Sequence, residues 1–141
     1  MSKDNIDSIK VEASIASAEK QTSGELRVHI ESKCSAEPLD RASTVFAARS
    51  MHKTEARNGV LIYLSTEDRK FAIIGDAGIN AVVKEDFWQV AYDASLPHLK
   101  SGDWTTGLCL AVEACGSALS EFFPYSDDDI NELEDGISWG K

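Results

Sequence analysis

The chain has 141 residues, 43% of them hydrophobic and 27% charged, with a formal net charge of −10 and a sequence pI near 4.6. This excess of carboxylates argues against partners that need a positive face, such as nucleic-acid phosphates or anionic lipid, and leaves cations, basic partners or plain solubility. No apolar run is long enough to cross a bilayer and Met1 to Asn5 lacks the apolar core of a signal peptide, so the expectation is a soluble, cytoplasmic monomer with no nucleic-acid partner.

The length fits one domain over residues 1–141, with an acidic tail from about residue 125. In chain order, Ile6 to Gln21 carries Val11, Ile15 and Ala18 at helical spacing, and Thr22-Ser23-Gly24 closes that helix. Glu25 to Glu31 alternates Leu26, Val28 and Ile30 with Arg27, His29 and Glu31, which predicts a strand with one less buried face, lying nearer an edge. On that pattern His29 is a partly exposed strand residue. Ser32 to Glu37 is a loop holding Cys34 as a free thiol, and Pro38 opens a helix bearing Ala42, Val45, Phe46 and Ala48.

Val60 to Leu64 is an unbroken apolar run and Phe71 to Ile74 repeats it after the short polar stretch Ser65 to Arg69, so the pair predicts an antiparallel hairpin at the centre of a sheet. The strand–helix–strand order before it predicts that the first two strands are parallel, which makes the sheet mixed. Asn58-Gly59 supplies backbone geometry at the second strand's entrance, and Gly75 and Gly78 supply it at the third strand's exit. A helix follows over Glu85 to about Lys100 with Pro97 as a kink or a new start, and Asp103 caps a final helix striped by Leu108, Val112, Cys115, Leu119 and Phe122. Cys109 and Cys115 on that helix stand about 9 Å apart along its axis, too far for a disulfide.

Three places carry candidate chemistry. Where the third strand ends, Asp76 meets the starts of the other two strands, so that Asp76, Glu25 and Asn58 share an oxygen-rich rim suited to calcium or magnesium. The competing reading of Asp76 is a cap for the next helix. At the opposite end Glu67, Asp68 and Arg69 approach Cys34, the end that open α/β sheets favour for ligands, although only one parallel strand pair is visible. In the tail, Asp127, Asp129 and Asn131 open like a calcium loop, but Glu132 and Ser138 stand where that loop needs glycine and glutamate.

Several stretches together resemble the TPM domain family, whose members include thylakoid-lumen and photosystem-repair proteins and bacterial relatives. They are Thr22-Ser23-Gly24-Glu25-Leu26-Arg27-Val28, Arg57 to Ile62, Asp68-Arg69-Lys70, Gly75-Asp76-x-Gly78-Ile79, Phe87-Trp88 and Gly102-Asp103-x-x-x-Gly107-Leu108. The resemblance implies a Rossmann-like three-layer α/β/α sandwich around a mixed sheet of about four strands. It also implies divalent-cation binding, with Asp76 foremost as ligand and Asp103 and Glu25 after it, and in some members a phosphatase activity. Two functions follow. One is a non-catalytic, cation-binding accessory module acting on a protein partner. The other is a metal-dependent phosphatase for phosphate monoesters, with Arg57 or Arg27 holding the phosphate.

Overall fold

The computed structural model describes residues 5–84, 86–125 and 136–140. The acidic segment Asp127 to Asp135, with its calcium-loop spacing, lies outside the described residues, as does Glu85. Helix α1 spans Ser8–Glu19, capped by the Asp7 side chain, which accepts from the Lys10 amide at 3.2 Å. Strand β1 (Glu25–Glu31) leads to α2 (Pro38–Ala48) and then to β2 (Gly59–Ser65). The hairpin partner β3 (Lys70–Gly75) runs into a single turn, α3 (Ala77–Asn80). Two long helices, α4 (Gln89–Lys100) and α5 (Trp104–Leu119), precede the short strand β4 (Ile137–Trp139).

Among the described residues the sheet has four strands, in the order β3-β2-β1-β4. β1 is parallel to both β2 and β4, and β2 is antiparallel to β3, so the sheet is mixed. Helices α1, α4 and α5 share one core with Leu26, Val28, Ile30, Val60, Ile62, Leu64, Phe71 and Ile73. The alternate residues Leu61, Tyr63 and Ala72 face α2 and pack with Ala42, Val45, Phe46 and Met51. The architecture is therefore α/β/α, and the two apolar runs of the hairpin are long because both of their faces are covered.

The expected stripe on α5 is buried at Leu108, Val112, Cys115 and Leu119, whereas Phe122 lies past the helix end and is exposed. Small residues let this helix approach its neighbours. A Cβ on Gly107 would sit 2.5 Å from Leu99 of α4, and one on Gly116 2.7 Å from Ala18 of α1. The helix expected from Glu85 begins as α4 at Gln89 and continues through Pro97, burying Ala91, Ser95 and Leu99 while Val90 stays exposed.

Two expectations about strand position change. The hairpin is not wholly central, because β3 forms one edge, and β1 is interior, because β4 pairs along its outer side. The less buried face expected for β1 is not there: all seven residues are buried, Arg27, His29 and Glu31 included. The glycines also act differently from expectation. Gly75 and Gly78 have ordinary backbone angles, and positive φ falls instead on Arg57, at 51°. What excludes side chains is crowding, since a Cβ on Gly75 would lie 2.5 Å from the Trp88 ring and one on Gly78 2.2 Å from the Ala56 carbonyl oxygen.

Candidate functional site

Antiparallel pairing of β3 with β2 returns the chain to the rim where β1 and β2 begin. The Asp76 amide donates to the Gly59 carbonyl at 2.9 Å and the Gly78 amide to the Arg57 carbonyl at 2.9 Å, which fixes the glycine turn on the β2 entrance. There Asp76 is buried and doubly occupied. Arg57 grips it through Nε to Oδ2 and through its terminal nitrogen to Oδ1, both at 2.7 Å, and the Ala77 amide adds a third bond at 2.7 Å. Burial pushes the carboxyl up, but the guanidinium and the amide outweigh it and hold Asp76 below the ordinary carboxylate value. The cap expected for Asp76 is thus present, joined by a salt bridge whose Arg57 side chain is 48% exposed.

The same rim holds Asn58 and Glu25. The Asn58 side chain donates to the Ser23 hydroxyl at 3.5 Å, and the Asn58 main-chain carbonyl accepts from the Glu25 amide at 3.3 Å. Glu25 is buried, with its carboxylate 3.6 Å from Arg27. Arg27 itself is wholly enclosed, donating to Glu19 at 2.7 Å and to the Leu26 carbonyl at 2.6 Å, so it braces the fold and has no open side for a substrate phosphate. Asp103 is placed elsewhere. It caps α5 by accepting from the Thr106 amide at 3.2 Å, and the neighbouring Trp104 ring lies 5.7 Å from Arg69 in the β2–β3 loop. A six-residue β3, about 20 Å long, separates that end of the sheet from Asp76. Among the described residues no group of three His, Cys, Asp or Glu side chains is gathered closely enough to hold a metal ion.

The opposite end carries a polar cluster that periodicity alone does not reveal. Glu31, the last residue of β1, accepts from Arg41 of α2 at both oxygens, from Nε at 2.8 Å and from a terminal nitrogen at 2.8 Å. The Tyr63 hydroxyl donates to it, and His29 Nε2 lies 3.2 Å away. The other imidazole nitrogen is 2.6 Å from the Ser138 hydroxyl on β4, so the cluster fastens β4 to β1. Chiefly through Arg41, the Glu31 carboxyl falls to about 2, while burial lowers the His29 imidazole and raises the Tyr63 phenol. Ser138, His29 and Glu31 stand in the order of a hydrolytic relay. Arg41 already neutralises the Glu31 charge that would have to stabilise an imidazolium, so the line works as a strand fastener.

Cys34 sits in the following loop but is buried, its amide donating to Asp68 at 2.6 Å and its thiol to the Ala36 carbonyl at 3.2 Å. Lys70 Nζ ties the same loop down through the carbonyls of Cys34 and Ala36, at 2.9 and 3.0 Å. Sequence order gave a partial signal for this end, in the proximity of Asp68 and Cys34. Nothing in the spacing announced that Ser138 and Arg41 would converge on His29 and Glu31.

A four-stranded mixed sheet between helical layers, with a glycine-flanked aspartate at the antiparallel strand's exit, defines the class of domain. The family model of the TPM domain matches residues 2–118, and the chain belongs to that family. It is similar to the BA42 protein of the psychrophilic bacterium Bizionia argentinensis, solved by NMR, with 42% identity and a TM-score of 0.88 over 96% of this chain and 95% of that one. The N-terminal domain of cg2496 from Corynebacterium glutamicum, also solved by NMR, shares the fold at 18% identity and a TM-score of 0.64, over 96% of this chain and 84% of that one. No curated protein matches the chain.

Proposed function

We propose that this TPM domain is a divalent-cation-binding accessory module, with Asp76 as the anchoring carboxylate for calcium or magnesium and a protein partner as the reader of the bound state. The observation that carries the reading is the pairing of a buried, ionised Asp76 with an Arg57 side chain that is half open to solvent. A guanidinium in that place offsets the same charge that a cation would, and it can swing outward when Asp76 takes another partner. Asn58, Glu25 and the Gly75 carbonyl supply further oxygens on the rim, of the hard kind these cations prefer. Asp103, at the other end of the sheet, is not part of this set.

The enclosure of Arg27, which leaves it no open side for a substrate phosphate, favours binding over hydrolysis of phosphate monoesters. The test is an amide-resolved NMR titration of metal-stripped protein with calcium and, separately, magnesium. Saturable shifts at Gly75 to Ile79 and at Glu25 and Asn58 are expected, lost in Asp76→Asn and reached at lower cation concentration in Arg57→Gln, where the internal competitor is gone. Equal titrations of wild type and Asp76→Asn would refute the site.

A further inference from the structure

At the far end of the sheet, opposite Asp76, three parallel strands finish side by side: β2 at Ser65, β1 at Glu31 and β4 just before Gly140. After β1 the chain passes to α2 on one face of the sheet, and Gly140 follows β4 on the outer side of β1. The carboxyl ends of parallel strands are where open α/β sheets hold their ligands. Here that end holds a pocket of about 550 Å³ whose walls include Glu31, Lys33, Cys34, Ser35, Arg41 and Gly140. Its size falls within the usual range of roughly 300–1,000 Å³ for small-molecule sites.

We infer that this pocket binds a small organic monocarboxylate, gripped by the end of the Arg41 guanidinium that Glu31 leaves open and by Lys33. A guanidinium has five N–H donors. Glu31 engages Arg41 side-on, through Nε and one terminal nitrogen, which leaves the end-on edge with its two parallel N–H bonds to match a second carboxylate. Arg41 is placed for this, since its side chain is 37% exposed while Glu31 beneath it is 4% exposed. The Tyr63 hydroxyl and His29 fix the Glu31 carboxylate, and its two bonds to Arg41 in turn orient the guanidinium, so less ordering is left for a ligand to impose.

Charge selects the class. The lining carries Lys33 and Arg41 against the one carboxylate of Glu31, a surplus of one positive charge on a chain whose formal net charge is −10. A monocarboxylate balances that surplus. A phosphate group, at about −1.5 to −2 near neutral pH, exceeds it and meets the field of the whole acidic chain. Cys34 turns its thiol to the Ala36 carbonyl, and Ala36 contributes a methyl group to the wall, so part of the pocket suits a carbon skeleton. Gly140 closes the opposite side. A Cβ there would lie 2.5 Å from a Glu31 oxygen, so the backbone just after β4 runs close beside the ion pair.

The test uses the full chain with chelator present, which separates this pocket from the Asp76 rim, and follows amide NMR shifts during titration with acetate, butyrate, inorganic phosphate and chloride at constant ionic strength. Saturable shifts at Glu31 to Ala36, Arg41 and Gly140 are expected with both carboxylates, tighter for butyrate, and unaltered in Asp76→Asn. Arg41→Gln should weaken butyrate binding about tenfold or more, the usual consequence of losing one charge-assisted pair. Because that change also uncovers Glu31, Arg41→Lys and the exposed-site change Lys33→Gln are run beside it, and each should weaken binding about threefold, a fraction of such a pair. Shifts that chloride reproduces, tighter binding of phosphate than of butyrate, or undiminished butyrate binding in both Arg41→Lys and Lys33→Gln would overturn the inference.

Discussion

Glu31→Gln keeps the size of the side chain and removes its charge from the cluster at the end of β1. In the folded chain the Arg41 guanidinium, helped by Tyr63 and His29, holds the Glu31 carboxyl at about 2 against an ordinary 4.5. At about 1.4 kcal/mol for each pH unit between the two values, the linkage contribution is on the order of 3 kcal/mol. Since the folded chain binds this proton more weakly than the unfolded chain, the stabilisation is complete above about pH 4.5 and disappears as the pH falls towards 2. About 2 kcal/mol of it should be gone by pH 3. Urea unfolding of both proteins at a series of pH values reads this directly. Wild type should exceed Glu31→Gln in stability at pH 7, and the gap should narrow by about 2 kcal/mol on reaching pH 3. A gap that stays constant from pH 7 to pH 3 would show that Glu31 contributes by shape alone, and the electrostatic account of the cluster would fail.

Burial holds the His29 imidazole below 6.5 against the opposing pull of Glu31, so stability should be full above that value and decline as the pH drops through it. His29→Gln should remove this part of the pH dependence, measured by thermal unfolding between pH 7.5 and pH 5. Gly78→Ala sets a methyl group against the Ala56 and Arg57 carbonyls and should cost about 1–3 kcal/mol in urea unfolding, with NMR shifts confined to the glycine turn and the β2 entrance. Leu108→Ala, at a fully buried position of α5, should cost about 2–5 kcal/mol by the same measurement. Burial pushes the Cys115 thiol up to about 12, so alkylation followed by mass spectrometry near pH 8 should leave Cys115 unlabelled until denaturant is added.

Much of this fold was legible in the chain because its core elements are long and repetitive. The Val60 and Phe71 runs, the stripe on α5 and the caps at Asp103 and Asp76 each follow from local chemistry, and each forms. The misread elements depend on distant partners. β4 is three residues long behind an acidic run, too short to show a period. Arg27, His29 and Glu31 read as a solvent face because polar side chains are seldom buried, and what buries them is pairing with Glu19, Ser138 and Arg41. Of the four candidate ligands, Asp76, Glu25 and Asn58 share a rim as their strand directions required. Asp103 does not, because α5 starts beside the hairpin loop, a fact of helix packing that no local pattern encodes.

The attachment of β4 has a consequence for the nascent chain. His29 and Ser138 are 109 positions apart, so the outer side of β1 stays uncovered throughout the synthesis of everything between them. An interior strand waiting with open amides and carbonyls invites pairing with another polypeptide. Arg27 and Glu31 have partners of their own in Glu19 and Arg41, so the one side chain of this face that waits for β4 is His29, whose partner is the Ser138 hydroxyl. The seam between β1 and β4 can therefore close only late in synthesis, when Ser138 reaches His29.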